Sequence, residues 1–189
     1  MLQILFQVWG GLFYLLNKIF FSRAERTTNN NQRTWLIWSW AVYLIGLPAW
    51  VIIFVAERNW MAAAVEAGGA TGMLLGLINA IKGVDREPKW LDYIARLAAV
   101  LGIIYSLYDF GGITTLNQIL EFGIVVGFLL GTYFLAKQKL CGYLWLILMN
   151  VSNAWLMSIE HYPWLLLQQV ISLGFVVDAY WIKRKNLQK

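Results

Sequence analysis

The chain has 189 residues, 60% of them hydrophobic and only 13% charged, with a mean hydropathy of +0.59. Soluble domains carry about a quarter charged residues, so a soluble globular fold and a disordered chain are both excluded. The lone Cys141 and the lone His161 supply neither an internal disulfide nor a soft-metal cluster, and no metal or cofactor is expected. What remains is an all-α protein that crosses a bilayer several times.

A bilayer core takes about 20 apolar residues per helix. Seven segments meet that length: Leu2 to Phe20, Trp35 to Ala56, Trp60 to Ile81, Leu91 to Tyr108, Ile113 to Ala136, Cys141 to Ile159 and Trp164 to Ile182. The first lacks a basic start and a small-residue cleavage site, so it reads as a retained helix and not a signal peptide. Sidedness follows from the bases, which accumulate on the cytoplasmic side. With the N-terminus outside and the C-terminus inside, Lys18, Arg23, Arg26, Arg33, Lys82, Arg86, Lys89, Arg96, Lys137, Lys139, Lys183, Arg184, Lys185 and Lys189 are all assigned to inner loops and termini. Arg58 alone is left outside. The net charge of +5 is then a topology signal spread over short loops, and no nucleic-acid partner is expected. The location this implies is a bacterial inner membrane.

An internal repeat orders the seven helices. Sliding the chain by 103 residues sets Glu57 on Glu160, Lys82 on Lys185, Glu66 on Gln169 and Trp50 on Asn153. At another offset Gln3-Ile4-Leu5 matches Gln118-Ile119-Leu120, a longer first inner loop around Asn29, Asn30 and Asn31 absorbing the difference. Three helices are an odd number, so a second like-oriented trio requires one connector helix to bring the chain back across. The expected architecture is one transmembrane domain, 1–189, of two parallel three-helix repeats: 1–82, then a connector helix at 91–108, then 113–185. Parallel repeats of this kind are a transporter architecture with the site between the halves.

Gly131-Thr132-Tyr133-Phe134-Leu135-Ala136-Lys137 running through Trp145 to Asn150, then Tyr162-Pro163-Trp164 and the closing Tyr180-Trp181, resemble the Pnu family of vitamin transporters. That family is of the nicotinamide riboside type, with a three-plus-one-plus-three arrangement similar to a doubled SWEET unit. The family's two adjacent Trp with a third three positions on are replaced here by Tyr143, Trp145 and Trp155. The resemblance implies facilitated uptake of a small polar aromatic vitamin such as nicotinamide riboside or thiamine. It implies rocking of the two halves, and trapping of the solute by a separate kinase.

Polar groups at membrane depth are costly and mark function by default. Glu66, Glu121, Gln169, Asn153 and Trp50 each lie six to eight residues in from an outer helix end, roughly 9–12 Å deep at 1.5 Å per residue. Gln169, Ser172 and Val176 share one face of helix seven, Asn150, Asn153 and Met157 one face of helix six, and Asn117, Glu121, Phe128 and Thr132 one face of helix five. The candidate substrate-binding set is therefore Trp50, Glu66, Glu121, Asn150, Asn153, Gln169 and Ser172, around a polar chamber in the outer leaflet. Against this stands a packing role, since Asn and Gln bond across membrane helices for about 1 kcal/mol each.

Asp178 reads as a local interfacial partner of Lys183 and Arg184. Gly68, Gly72 and Gly76, and Gly123, Gly127 and Gly131, are spaced for close helix contact. Pro48 is a candidate hinge. Trp35, Trp60, Trp90, Tyr162, Trp164, Tyr180 and Trp181 sit at expected helix ends as an aromatic belt; Trp9, Trp50 and Trp155 lie deeper, where rings attract a flat cation by about 2 kcal/mol or more when desolvated. No Ser/His, Cys/His or paired Asp set for covalent catalysis is present, so no enzymatic activity is expected. A sugar carrier of the same architecture, using Asn150, Asn153 and Gln169 on hydroxyls, and a non-transporting scaffold docked through its glycines are the alternatives. Beyond the solute and the bilayer, the sequence leaves assembly into a homo-oligomer open.

Overall fold

The computed structural model describes residues 2–27, 29–84 and 86–188, with the side chains of 2–4 and 29 outside the description. The Gln3-Ile4 part of the second repeat match therefore lies outside the described side chains. Seven α-helices and no strand are found among the described residues: α1 (Leu2–Arg26), α2 (Asn29–Ala56), α3 (Trp60–Lys82), α4 (Lys89–Asp109), α5 (Leu116–Ala136), α6 (Cys141–Ile159) and α7 (Pro163–Leu187). Helices α2 to α7 are long and apolar enough to cross a membrane. The last third of α1 carries Asn17, Lys18, Ser22, Arg23, Glu25 and Arg26, which lowers its hydropathy.

Local chemistry sets the helix ends. Asn59 accepts the Ala62 amide at 3.0 Å and opens α3, Thr115 and Gln118 form a reciprocal capping box at α5, and Pro163 occupies the first turn of α7, where no amide is needed. The α2–α3, α5–α6 and α6–α7 connections share one device. Arg58, Gln138 and His161 stand at φ of 59°, 53° and 60°, and the next amide returns five residues, Asn59 to the Phe54 carbonyl, Lys139 to Phe134 and Tyr162 to Met157. This is the C-terminal motif that usually takes glycine. Arg58 and His161 are 103 residues apart, the spacing of the repeat.

The first connection differs from the expected long loop. α1 runs on past Phe20 to Arg26 and α2 already starts at Asn29, so Asn29, Asn30 and Asn31 belong to a helix. The Thr34 hydroxyl bonded to the Asn30 carbonyl at 3.0 Å helps hold that first turn.

Neighbouring helices touch in the order α1, α2, α3, α5, α6, α7 and back to α1, a closed ring; α4 lies outside it against α3 and α5. α4 buries only Leu91, Ala95, Ala99 and Ser106 and turns Tyr93, Leu97, Val100, Leu101, Ile104 and Tyr108 outward. A contiguous apolar face of this kind belongs in lipid. The ring is drawn tight by glycine. All three of Gly123, Gly127 and Gly131 on α5 face α6, against Ser152, Met149 and Leu146; on α3, Gly68 faces Ala98, Gly72 faces Thr132 and Gly76 admits the Trp40 ring. The spacing thus serves helix contact, with the α3 row shared among three neighbours. α2 runs unbroken through Pro48.

A Cβ at Gly127 would lie 2.6 Å from the Trp145 carbonyl oxygen and 2.7 Å from the Met149 amide nitrogen, both backbone atoms, whereas one at Gly174 would meet nothing within 4 Å. Gly127→Ala is expected to lower detergent-state stability by about 1–3 kcal/mol as an overpacking change. Gly174→Ala is expected to raise it by about 0.5–1 kcal/mol through helix propensity. Thermal unfolding of the two variants reads both signs.

Candidate functional site

The interior of the ring is polar at its middle. From α1, Tyr14, Asn17 and Lys18 share one face by the i, i+3, i+4 rule. They meet Tyr43 from α2, Glu66 from α3, Thr132 from α5, Asn150 from α6 and Ser172 from α7. The Tyr14 hydroxyl donates to Asn150 Oδ1 at a long 3.4 Å, while Asn150 Nδ2 returns to the Leu146 carbonyl of its own helix at 2.7 Å. Lys18 Nζ lies 4.5 Å from the Tyr14 ring centroid and 4.8 Å from that of Tyr43. Ser172 and Asn150 face the Tyr14 hydroxyl, Thr132 faces that of Tyr43, and the Glu66 carboxyl group lies near enough to Lys18, Tyr14 and Tyr43 to act on them electrostatically. The Tyr43 ring also meets Phe128 edge-on at 6.3 Å.

Several of these groups lack a partner within the protein: Asn17 Oδ1, Lys18 Nζ, Tyr43 OH, Thr132 Oγ1, Gln169 Oε1 and Ser172 Oγ are buried without a hydrogen bond. The Tyr43 and Thr132 hydroxyls face each other without hydrogen-bond geometry, as do those of Tyr14 and Ser172. Native proteins leave few such atoms; six of the eight found among the described residues gather inside one ring, the other two being Asn79 Oδ1 and Glu87 Oε2 at the basic end.

Of the seven residues singled out from sequence, Glu66, Asn150 and Ser172 share this cluster. Gln169, buried, stands one turn from Ser172 on the same face of α7. Trp50 is half-buried between α2 and α1, against Gly10 and stacked on Phe54 at 6.0 Å. Asn153 is half-buried with no side-chain hydrogen bond among the described residues. Glu121 stands apart: the charges that act on it are Glu160 and Asp109, at the opposite end from the bases. The deep Trp residues divide as well, Trp9 bonding the Ile45 carbonyl at 3.1 Å and Trp155 facing outward.

Two expectations are corrected. Lys18 is no inner-loop base: with 1% of its surface exposed it lies inside the ring, eight residues or about 12 Å from the end of α1. Its signal was a single charge within an apolar run, at the spacing that also places Tyr14 and Asn17 on one face, and counting it as a topology anchor hid it. The cluster also extends from the level of Glu66 and Gln169 through mid-helix Asn150 down to Lys18 and Thr132, and so is not confined to one end of the helices. Two clefts, of about 500 Å³ around Arg33, Asn79, Lys82 and Arg86 and of about 380 Å³ along Trp181, Arg184 and Lys185, lie at the basic end, away from this cluster. Among the described residues no three His, Cys, Asp or Glu converge on a metal-sized site.

The basic end is tied by ion pairs. Asp178 takes Arg26 at 2.6 Å and the Ser22 hydroxyl at 2.6 Å, both on α1, and not Lys183 or Arg184. An acid on α7 and a base one helix away close a seam that sequence proximity did not reveal. Lys183 instead pairs with Glu25 at 2.9 Å, and Glu25 also accepts the Tyr143 hydroxyl at 2.8 Å. Across the ring, Asn79 Nδ2 donates to the Ala136 carbonyl at 3.0 Å, and Lys137 binds both Glu87 and, at 3.1 Å, Asp92. Arg96 and the Tyr133 hydroxyl complete that group around Asp92.

Burial pushes the Glu87 carboxyl up, but the hydrogen bond and charge of Lys137 outweigh it and hold the group below its usual value. A lowered folded value means stability that is present above the unfolded carboxylate pKa, about 4.3, and lost as pH falls through the folded value. Glu87→Gln is expected to flatten the acid limb of the thermal-stability profile below about pH 4.5 and to leave its slope near neutrality unchanged.

Neither a protein-family model nor any curated protein or solved structure gives a significant match to this chain.

Proposed function

We propose that the protein is a multi-pass transporter that takes up a small polar aromatic vitamin, such as nicotinamide riboside or thiamine, across a bacterial inner membrane. It carries the solute and does not transform it. The observation that carries this reading is the closed ring of six helices whose buried middle holds polar side chains from every member, many without a protein partner. Lipid cannot satisfy such groups and a packed core has no use for them. A polar solute between the helices satisfies them.

In this reading α1, α2 and α3 form one half, α5, α6 and α7 the other, and α4 is the connector that restores the orientation of the second half. The recurrence of the Arg58 turn at His161, at the spacing of the repeat, supports it. α1 crosses the membrane with its polar face turned inward onto α2 and α7. The halves meet at two seams, α1 with α7 and α3 with α5. At the basic, cytoplasmic end both seams are tied, by Arg26–Asp178 and Glu25–Lys183 on one and by Asn79 to the Ala136 carbonyl on the other. Nearer the opposite end the α1–α7 seam has the neutral bond from Gln168 to the Gly11 carbonyl at 3.1 Å. Rocking that parts the cytoplasmic ties and closes the other end moves the polar middle from one side's access to the other's.

Saturable uptake of labelled nicotinamide riboside or thiamine into proteoliposomes is expected. Asn150→Ala should lower flux about ten-fold, the equivalent of one hydrogen bond of about 1.4 kcal/mol, without unfolding the protein. Flux of sugars alone reassigns the solute, and flux of neither class sinks the transport reading. Orientation has its own check. In a Cys141→Ala background, a membrane-impermeant maleimide applied to intact cells stripped of their outer membrane should label Arg58→Cys and spare Lys139→Cys; the reverse pattern inverts the topology.

A further inference from the structure

Three bases converge on one cleft at the basic end. This cleft, of about 500 Å³, opens between the start of α2, the end of α3 and the turn that follows α5, and its wall carries Arg33, Lys82 and Arg86 beside Gln32 and Gln138. No carboxylate lines it among the described residues. Arg33 is anchored: its Nε donates to the Ala80 carbonyl at 3.2 Å and its Nη2 to that of Ile81, two carbonyls that the end of α3 leaves without helical partners. The guanidinium is thereby fixed, with its other N–H groups still to spend. Gly83 stands at φ 98° and turns the chain so that a Cβ there would lie 3.8 Å from Arg86 Cδ, which brings the Arg86 stem back over the end of α3. The side chains of Lys82 and Arg86 make no hydrogen bond or ion pair among the described residues. On the same turn Glu87 is taken by Lys137, and Asp85 lies outside the described residues.

We propose that this cleft is a phosphate site, in which Lys82, Arg86 and the remaining edge of Arg33 take the oxyanion of a phosphate ester at the membrane surface. Lipid headgroups and soluble phosphate esters share that chemistry. Elsewhere at this end the bases end on carboxylates, Arg26 on Asp178, Lys137 on Asp92 and Lys183 on Glu25, whereas these three repel one another across a concave wall. An oxyanion offsets that repulsion, and Arg and Lys are the side chains that bind phosphate most strongly. Capping of α3 accounts for Arg33 alone, because Lys82 and Arg86 reach none of its carbonyls. The volume falls in the range of small-ligand sites, about 300–1,000 Å³, and basic pockets between membrane helices at headgroup level suit anionic headgroups. Asn79, on the same wall, donates to the Ala136 carbonyl and ties α3 to α5. An occupant that also reaches Gln138 braces that seam. The site depends neither on the solute of the ring nor on transport.

The test is binding to the full chain in a neutral detergent, read as a rise in melting temperature with probe concentration. The probes are dioctanoyl-phosphatidylglycerol, dioctanoylglycerol as the same chains without phosphate, and glycerol 3-phosphate as the phosphate without chains. The wild type should bind a phosphate probe, and the phosphate lipid at least about ten-fold more tightly than dioctanoylglycerol if the lipid is the ligand. The double variant Lys82→Gln/Arg86→Gln should lose about ten-fold or more in that affinity and, without probe, melt at the wild-type temperature, since neither side chain has a protein partner to lose. Arg184→Gln/Lys185→Gln removes the same charge from the other cleft and should bind like wild type. Binding of the lipid alone assigns the site to a headgroup; binding of glycerol 3-phosphate with the same dependence on Lys82 and Arg86 assigns it to soluble esters as well. Failure of both phosphate probes, equal binding of dioctanoylglycerol and the phosphate lipid, or equal loss in the two double variants overturns the proposal. Should the first double variant not fold, Lys82→Gln and Arg86→Gln singly carry the same comparison.

Discussion

The rest of the structure depends on keeping a lysine amine and a set of hydroxyls and amides out of contact with lipid. In a bilayer there is no water to take up an unmatched donor, so each must be enclosed by helices. Lys18, Asn17 and Tyr14 project from one side of α1, and a closed ring shields that side. α2 and α7 cover α1 on both flanks, and α3, α5 and α6 complete the circuit. Close approach within the ring comes from glycine: where α5 meets α6, Gly127 lets the helices approach until backbone faces backbone. α4 carries no comparable polar burden and remains outside, with its apolar face turned outward.

The enclosed groups are treated in two ways. At the basic end, buried acids and bases are matched across seams, as with Glu25 between Lys183 and Tyr143, or Lys137 between Glu87 and Asp92. Such matching offsets the desolvation of charge and fixes the neighbouring helices relative to one another. In the middle the groups are close but unmatched: aromatic faces hold Lys18, and hydroxyls stand beside hydroxyls without closing bonds. Under the transport proposal, a largely matched end and an unmatched middle correspond to a gate and a binding layer.

Much of the fold was legible because its determinants are local. Segment lengths and their Gly, Pro and Asn59-type boundaries give seven helices whose observed limits lie close to those expected for α3 to α6, whereas α1 and α2 extend into the expected first loop and α7 runs on to Leu187. The stripe Gln169, Ser172, Val176 follows from helical period alone, and all three are buried. Reading failed where a residue's role is set by what comes to it from another helix. Lys18 looks like any basic anchor until Tyr14 and Tyr43 are seen around it. Asp178 has bases five and six residues on, yet it turns to Arg26, 152 residues away in sequence. Glu121 has the depth of Glu66 but faces other acids at the helix ends, since depth fixes a level and not a bearing around the helix.

By itself the sequence determined that this is a multi-helix membrane protein, where most of its helices lie, and which faces of them are polar, because hydropathy, capping and period are properties of contiguous residues. Only the tertiary structure decided which polar faces meet, which ion pairs tie the seams, and that the deepest lysine is left without an acid of its own. Those outcomes depend on the rotation and neighbours of each helix, which are set by packing between segments far apart in the chain.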